Sequence, residues 1–312
     1  MLSKTRIKDL EKQGYRIAGN HSAIKVCSWT KKAIKKEDVC YKQTFYGINT
    51  HRCVQMTPSL EFCDQRCVWC WRDIDFTRPK WKGKADDPKK IIEECIKEHL
   101  GYIEGFRGNE RSDKKNLKEA FKPLHFAISL SGEPTFYPKL PELINELKKR
   151  KITSFLVTNG TNPCMLNKLV KNQPTQLYIT LPAPDEETYL KCCSPLIKDG
   201  WKRILESLKL LKKFKRSVIR LTLVKNENMV KPEKYAKLIM MAQPKFVEVK
   251  GYVWVGMSRK RLELGNMPRH NEIIEFARKI CENSNYKIID EKKESRVVLL
   301  MRKDLKARIM KF

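Results

Sequence analysis

Short apolar runs alternate with amphipathic segments along most of the chain. The apolar runs have the length and composition of buried strands, and they lie at 125–130, 154–159, 176–181, 217–224 and 246–255. The amphipathic segments predict helices at 139–151, 198–214 and 232–242. An earlier unit has a strand at 52–58 and a helix at 87–106. Because strands that alternate with helices form parallel sheets, this order predicts an α/β fold of about six βα units, a partial (βα)6 TIM-like barrel.

Charged residues alternate with apolar ones in two of these strands. In 217–224, the apolar face leaves Arg220 and Thr222 on the opposite side, which is the interior of a barrel. In 246–253, one face has Val247, Val249 and Val253, and the other has Glu248, Lys250 and Tyr252. An ordinary barrel interior is apolar, so charged inward residues predict a lumen that holds a polar ligand. The alternative is an internal ion pair, between Glu248 and Lys250 or across the strands.

The ends of the chain differ from this pattern. Residues 1–50 form a basic N-terminal extension that carries part of a second cysteine set, and 51–265 form the barrel. Residues 266–312 add a helix at 271–282 and two short strands, which predicts a C-terminal α/β extension packed on the barrel. The sequence therefore predicts three regions, with boundaries near residues 50 and 265.

The net charge of the chain indicates what kind of partner it binds. The 312 residues carry a formal net charge of +29, more than solubility requires, and this indicates a polyanionic partner such as nucleic acid. The alternative is a lysine-rich, solvated surface. The N-terminus lacks the apolar run of a signal peptide, and no segment has the length of a membrane span. We therefore expect a soluble, cytoplasmic protein that does not bind membranes and is a monomer.

Three cysteines lie close together at Cys63, Cys67 and Cys70, with the spacing C-x3-C-x2-C. In a reducing compartment such a cluster indicates metal binding rather than disulfides. Three thiolates can ligate three irons of a 4Fe–4S cubane and leave the fourth iron open for a small molecule. Structural zinc is the alternative, but it requires a fourth ligand at short range, and Asp64 or Asp73 would serve poorly.

This spacing after the first strand of a βα series resembles that of the radical S-adenosylmethionine (SAM) enzymes, as does Trp69 before the last cysteine. The turn "SGEPTFYP" at 131–138 is similar to the family's GGEP turn, with Ser131 in place of the first glycine. The resemblance implies that the open iron binds SAM and that an electron cleaves it to a deoxyadenosyl radical. It further implies that the following residues contact SAM: Gly132, Glu133, Thr158, Asn159 and Arg220.

A second triplet, Cys27, Cys40 and Cys53, has the spacing C-x12-C-x12-C in a segment that predicts no regular structure. Together with stretches such as "CYKQTFYGI" at 40–48 and "VEVKGYVWVGMSRKRL" at 247–262, it resembles the tRNA 4-demethylwyosine synthase family of the wyosine pathway. The resemblance covers nearly the whole chain and implies a second 4Fe–4S cluster. Zinc, or thiols without a metal, is the alternative for this triplet.

The resemblance also implies a reaction. The family condenses N1-methylguanosine, at position 37 of tRNA(Phe), with two carbons of pyruvate to give tricyclic 4-demethylwyosine. Pyruvate requires a group that polarises its ketone, and either the open iron of the second cluster or a Schiff base with Lys42 would serve. Lys42 could instead be an ordinary surface lysine. The rival hypotheses are a radical SAM enzyme with another substrate and an electron-relay cluster, and a non-catalytic zinc protein that binds RNA.

Three further expectations concern partners and packing. We expect electrons to come from a separate donor protein, because a fused flavodoxin-like donor, present in some members of the family, has no counterpart here. Aromatic residues could stack on a splayed base, although packing in the core is the commoner role for each: Trp29, Tyr41, Phe45, Tyr46, Trp69, Trp71 and Tyr252. The remaining cysteines lack ligand spacing and are assigned to packing: Cys95, Cys164, Cys192, Cys193 and Cys281.

Overall fold

The computed structural model describes residues 2–312, which divide into two compact units. Unit 1 consists of residues up to Phe62, Trp81–Val157 and Ile309–Phe312, and unit 2 consists of Cys63–Lys80 and Thr158–Arg308. The three-region division predicted at residues 50 and 265 stays a prediction. In residues 2–312, no helix combines the length and the apolar character that a membrane crossing requires.

Unit 1 contains a five-stranded portion of sheet in the order β1-β2-β3-β4-β5. The first two pairings are antiparallel, and β3, β4 and β5 run parallel. The strands are β1 (Arg16–Ala18), β2 (Ser22–Ile24), β3 (Cys53–Thr57), β4 (His125–Ile128) and β5 (Thr153–Thr158). The helices are α1 (Lys4–Lys12), α2 (Ser28–Ile34), α3 (Tyr41–Tyr46), α4 (Pro88–Ile103), α5 (Lys114–Ala120) and α6 (Leu140–Lys149).

Unit 2 contains the order β6-β7-β8-β10-β9, in which β6, β7 and β8 are parallel and the last two pairings are antiparallel. The strands are β6 (Gln176–Thr180), β7 (Ser217–Leu223), β8 (Phe246–Gly251), β9 (Lys287–Lys292) and β10 (Val297–Met301). The helices are α7 (Pro163–Leu169), α8 (Glu186–Cys193), α9 (Gly200–Leu210), α10 (Pro232–Ala242) and α11 (His270–Glu282).

The helices follow the apolar periodicity of the sequence. In α6, Leu140, Leu143, Ile144 and Leu147 are buried at the spacing of one helical face, Pro141 lies in the first turn, and lysines occupy the last turn. The predicted helix at 232–242 coincides with α10. The segment predicted to be irregular contains α2 and α3, so that prediction was wrong. Both helices have only six or seven residues, which is too short for a clear periodic signal.

The predicted strand at 246–255 extends too far, because β8 ends at Gly251. The chain then leaves the sheet for a short 3₁₀ helix at Gly256–Lys260, and Val253 is 36% exposed rather than buried on the apolar face. Gly256 has φ 59°, and a Cβ there would lie 2.4 Å from the Trp71 carbonyl oxygen, so this turn requires glycine. The helix predicted at 198–214 is likewise shorter, since α9 gives way to a 3₁₀ turn at Leu211–Lys213.

Two candidate cofactor sites built on cysteine triplets

The upstream triplet lies in unit 1 at the ends of regular elements. Cys27 and Cys40 are the N-caps of α2 and α3, with nearly identical backbone angles (φ −63°, ψ 142° and φ −64°, ψ 143°), and Cys53 begins β3. The backbone nitrogen of Cys40 donates to Thr50 Oγ1 at 3.2 Å, and Thr30 Oγ1 donates to the Cys53 carbonyl at 3.4 Å. These bonds tie both helix starts to the segment that leads into β3.

Lys42 and the thiols of Cys40 and Cys27 all lie within electrostatic range of Cys53. Burial raises the pKa of Cys53 to about 12; the Lys42 ammonium lowers it, and the thiols of Cys40 and Cys27 raise it further. Lys42 is only 7% exposed, and its Nζ lies 5.2 Å from the centre of the Phe155 ring. The surface-lysine alternative is therefore wrong. A buried amine beside three thiols is an unusual combination, since a buried charge must find compensating partners.

His125 lies beside this group, and sequence reasoning missed it. It is the register partner of Cys53 in the β3–β4 pairing. Its Nε2 accepts a bond from the Asn49 backbone nitrogen at 3.0 Å, so Nδ1 carries the proton and donates to Thr153 Oγ1 at 2.7 Å. Burial, followed by the nearby positive charges, including Lys42, lowers the pKa of His125 to about 3. The imidazole is therefore neutral and fixed in one tautomer.

The downstream triplet lies in unit 2 on a loop without regular structure. Backbone bonds attach this loop to the end of α8: the nitrogens of Arg66 and Val68 donate to the carbonyls of Cys193 and Cys192 at 2.8 and 2.9 Å. The Cys67 carbonyl accepts from the Cys70 nitrogen at 3.0 Å. Arg261 donates to the carbonyls of Val68, at 3.2 Å, and Cys70. The backbone of the loop is therefore held in place by contacts that do not involve the thiol side chains.

Arg72 connects the three thiols of this loop. It is buried and donates to Thr77 Oγ1 at 2.7 Å and to the Gln65 carbonyl at 3.2 Å. Burial lowers the pKa of Arg72, but Cys70, Cys63 and Cys67 together outweigh that effect and raise it. One guanidinium thus interacts electrostatically with all three thiols and can offset the negative charge that they carry as metal ligands. Sequence reasoning did not single out Arg72.

Both triplets have the donor chemistry of iron–sulfur ligands. Within residues 2–312, no three His, Cys, Asp or Glu side chains already form a compact metal-binding group. Each triplet nevertheless offers three soft sulfur donors in mutual electrostatic contact, together with one fixed cation. Three thiolates without a fourth protein ligand fit a 4Fe–4S cluster with one open iron, and they do not fit a closed zinc site.

The turn that contains Gly132 and Glu133 lies in unit 1 and has a local structural role. Gly132 has φ 71°, and a Cβ there would lie 2.0 Å from the Ser59 carbonyl oxygen, so the position requires glycine. Glu133 is buried, and its Oε1 accepts from Thr135 N at 3.0 Å and Thr135 Oγ1 at 2.7 Å, capping a 3₁₀ helix. The predicted SAM contacts of both residues stay predictions.

Asn159 links the turn after β5 to the cysteine loop within unit 2. Asn159 Nδ2 donates to Asp64 Oδ1 at 2.8 Å and lies 3.9 Å from Cys63 Sγ. Asn159 Oδ1 accepts a hydrogen bond from Thr161 Oγ1 at 2.7 Å. Asp64 is buried, and its oxygen is engaged by Asn159, which explains why it is a poor zinc ligand. The Thr158 hydroxyl accepts from the Gly160 nitrogen at 3.1 Å. This arrangement indicates that Asn159 positions the loop.

Arg220 and Glu248 form the cross-strand ion pair that was the alternative to a ligand-filled lumen. They are register partners in the β7–β8 pairing, and Arg220 Nε lies 3.0 Å from Glu248 Oε2. The Arg220 guanidinium also lies 4.6 Å from the centre of the Tyr178 ring. Lys250 donates instead to the Ser295 carbonyl at 2.5 Å. Arg220 and Glu248 thus compensate each other, and the SAM contact of Arg220 stays a prediction.

The other predicted residues fall into two groups. Four of the aromatic candidates are buried and pack in the core: Tyr41, Phe45, Tyr46 and Tyr252. Trp29, Trp69 and Trp71 are half-buried. Cys95 and Cys192 are buried as expected, but Cys164 is exposed, so its assignment to packing was wrong. Cys193 is buried as well, and its thiol is hydrogen-bonded to that of Cys67.

Similarity to known proteins agrees with this geometry. Residues 57–239 match the radical SAM superfamily, and residues 241–302 match the family described as wyosine base formation. The chain is thus a radical SAM enzyme, which implies a 4Fe–4S cluster and SAM. A relative from Pyrococcus horikoshii, S-adenosyl-L-methionine-dependent tRNA 4-demethylwyosine synthase, is 50% identical over 299 residues, which are 94% of this chain and 87% of the relative.

Two solved structures extend the similarity to three dimensions. "Structure of TYW1 with a lysine-pyruvate adduct bound" has a TM-score of 0.89 and 41% identity, and "Crystal structure of archaeal TYW1" has a TM-score of 0.80 and 37% identity. Each comparison covers 97% of both chains. The chain belongs to the tRNA 4-demethylwyosine synthase family. The predicted fold class, an α/β fold of the radical SAM type with a sheet rich in parallel strands, is confirmed, and the non-catalytic hypothesis is wrong.

Proposed function

We propose that this enzyme condenses N1-methylguanosine, at position 37 of tRNA(Phe), with pyruvate to form 4-demethylwyosine. The observation that carries the proposal is the buried Lys42 beside Cys27, Cys40 and Cys53. A generic radical SAM enzyme needs one triplet, whereas a second triplet with an amine suits an enzyme that holds a second, carbonyl-containing substrate. The solved relative with a lysine–pyruvate adduct supports this assignment.

Two cofactor groups would supply the reactive chemistry. Cys63, Cys67 and Cys70 would hold a cluster that, with SAM, would supply the radical for removal of hydrogen from a methyl group. Cys27, Cys40 and Cys53 would hold a second cluster, which would supply a Lewis acid for the oxygens of pyruvate. The electrons come from a separate donor protein. Gly132, Glu133, Thr158, Asn159 and Arg220 would contact SAM, with the ammonium of its methionine on Glu133 and the carboxylate or ribose on Arg220.

Lys42 holds and activates pyruvate. Its neutral amine attacks the ketone carbon, water leaves, and the resulting imine is a better acceptor for the methyl-derived carbon radical than the ketone itself. Burial against Phe155 excludes water, which protects the imine from hydrolysis until the carbon–carbon bond forms. The bond to the pyruvate carboxyl carbon then breaks, so that this carbon leaves as a carbon dioxide radical anion, which becomes CO2 when it returns one electron to the donor system, and the imine to Lys42 re-forms. The exocyclic amine of the base displaces the Lys42 nitrogen from this imine, which closes the third ring and frees the lysine.

The test is mass spectrometry of nuclease-digested tRNA after incubation with SAM and a reductant, with and without pyruvate. We expect N1-methylguanosine to be consumed only when pyruvate is present, with the tricyclic base as the product. Separately, borohydride treatment with pyruvate should leave one reduced adduct on the peptide that contains Lys42. The exposed Lys32, on the neighbouring α2, is an internal control and should stay unmodified. Consumption of the base without pyruvate would contradict the proposal.

A further inference from the structure

Three basic segments of unit 2 meet at one edge of its sheet. Residues 168–173 precede β6, and residues 209–216 lead directly into β7. Residues 302–308 follow β10. Because β10 is antiparallel to β8, with Leu300 opposite Val247, these residues leave the sheet beside the start of β8. All three segments therefore lie at the amino ends of the parallel strands. We call this region the amino-edge surface.

Specific hydrogen bonds hold the three segments together. Gln173 Nε2 donates to the Lys213 carbonyl at 2.8 Å, and Gln173 Oε1 accepts from the Lys215 nitrogen at 2.8 Å. Arg216 donates through both terminal nitrogens to the carbonyls of Ala307 and Arg308, at 2.8 and 3.0 Å. The surface is therefore a fixed feature of the fold rather than three independent loops.

The amino-edge surface carries almost purely positive charge. Its segments contain eleven basic residues and one acidic residue, Asp304. Eight of the basic residues are exposed lysines without an ion pair among residues 2–312: Lys168, Lys171, Lys209, Lys212, Lys213, Lys215, Lys303 and Lys306. Such a set of like charges repels itself, and an anion that spans the segments would relieve the repulsion.

Another lysine-rich surface, formed by α2 and α5 in unit 1, is different. There Lys35 pairs with Glu37 at 2.7 Å, and Lys36 pairs with Asp113 at 3.2 Å. These two lysines are compensated by carboxylates, whereas Lys114, Lys115 and Lys118 of α5 have no ion pair among residues 2–312. The α2–α5 surface is therefore partly compensated, whereas the eight lysines of the amino-edge surface are not.

We propose that the amino-edge surface binds the phosphate backbone of the RNA substrate; this inference rests on the proposed function. Eight unpaired lysines on three adjoining segments match a partner with regularly spaced negative charge, and a phosphodiester backbone is such a partner. A lipid surface is disfavoured, because Leu305 is the one large exposed apolar residue in these segments, and membrane-binding faces need several.

The test compares two triple variants that lower the net charge equally. One replaces lysines of the amino-edge surface (Lys212→Gln, Lys213→Gln, Lys215→Gln). The other replaces ion-paired lysines of the same unit (Lys231→Gln, Lys234→Gln, Lys279→Gln). Affinity for a fluorescent tRNA(Phe) transcript is measured by anisotropy over a range of KCl concentrations. We expect the first variant to bind on the order of tenfold more weakly and to lose about two from the slope of log K against log salt, and the second to change little.

Equal behaviour of the two variants, with normal binding by the wild type, would overturn the inference and leave the proposed function standing. A wild-type enzyme that fails to bind the transcript at low salt would overturn both. If the first variant does not fold, as judged by circular dichroism, Lys303→Glu with Lys306→Glu tests the surface from a different segment.

The outcome would also separate RNA from an acidic protein partner. Turnover is measured with a chemical reductant and with the donor protein. Suppose that the amino-edge variant keeps wild-type affinity for RNA but loses turnover when the donor protein, and not the chemical reductant, supplies electrons. The surface would then bind the donor protein, and the inference would be wrong.

Discussion

The two cysteine triplets offer the same three sulfur donors but are built by different means. The upstream set lies where secondary structure begins, with Cys27 and Cys40 at helix N-caps and Cys53 at the first position of β3. The downstream set lies on an irregular loop that backbone bonds attach to α8. The positions of the upstream thiols thus depend on the folding of unit 1, whereas those of the downstream thiols depend on the contacts of a single loop.

The two triplets also differ in the cation that lies beside each of them. Lys42 has a nucleophilic nitrogen once it loses its proton, and it can form a covalent bond to a carbonyl. Arg72 keeps its charge and its planar fork at every relevant pH, so it can offset charge and donate hydrogen bonds but cannot act as a nucleophile. The upstream site is therefore suited to hold a substrate, and the downstream site is suited to hold a cofactor. Changes at the two sites should therefore have different effects on pyruvate chemistry and on SAM cleavage.

Removing one thiol from each triplet should give the largest effects. Wild type should bind about eight irons per chain after anaerobic reconstitution, and Cys53→Ala and Cys63→Ala about four each, because a cubane held by two thiolates is labile. We expect Cys63→Ala to lose both SAM cleavage and tRNA product, and Cys53→Ala to lose the product but keep SAM cleavage. Iron analysis and chromatography of 5′-deoxyadenosine provide the measurements. Loss of all iron in Cys53→Ala would contradict the independence of the two sites.

Lys42→Met should abolish formation of 4-demethylwyosine, by roughly a thousandfold or more, as expected for loss of a covalent catalyst. Methionine fills most of the space of the lysine stem against Phe155, so folding and iron content should be retained. SAM cleavage should continue largely unchanged, which is measured as 5′-deoxyadenosine per chain. Lys35→Met, at the C-cap of the neighbouring α2, is the matched control, and full tRNA modification by Lys42→Met would remove Lys42 from the mechanism.

Arg72→Gln should affect the downstream site alone. The change removes a cation that interacts with all three thiols of that loop, and we expect roughly tenfold lower activity and faster loss of iron to a chelator. The midpoint potential of the downstream cluster, measured by electron paramagnetic resonance, should fall, because reduction adds negative charge that the guanidinium offsets.

Arg72→Lys is the matched control for this change, since it keeps the charge but not the planar fork. If Arg72→Lys restores the midpoint potential, the potential depends on the charge of Arg72. If the same variant still loses iron faster than wild type, iron retention depends on the hydrogen bonds of Arg72 to Thr77 and Gln65. An unchanged potential in Arg72→Gln would contradict the electrostatic role.

The sequence supported the outline of both sites but not their surroundings. The spacing of Cys63, Cys67 and Cys70 identified a cofactor loop, because ligand spacing is a local property of the chain. The ion pair of Arg220 with Glu248 was expected only as an alternative, since it depends on the register of two strands. His125 looks like the first residue of an apolar strand, and Arg72 looks like any arginine in a basic chain. Their roles arise from tertiary contacts that no local pattern contains.

Lowering the pH should reduce the free energy of unfolding of unit 1 through protonation of His99, and this effect should be smaller than those above. His99 is fully buried in α4; neither ring nitrogen has a hydrogen-bond partner, and burial lowers its pKa to about 4. In the unfolded chain the pKa of this histidine is about 6.5. Below that pH the unfolded chain binds a proton that the folded chain excludes, so the stability of the folded state is fully present above pH 6.5 and is lost as the pH falls toward 4. From pH 7 to pH 5 this group should cost about 2 kcal/mol of unfolding free energy.

Urea denaturation of wild type and His99→Met at both pH values provides the measurement. Methionine fills the space without a titrating group, so the variant should lose about 2 kcal/mol less than wild type between pH 7 and pH 5. Because His99 lies in the unit that holds Cys27, Cys40 and Cys53, iron retention by Cys63→Ala should decline with acid more steeply than that by Cys53→Ala. An equal decline would contradict the dependence of the upstream triplet on the fold of unit 1.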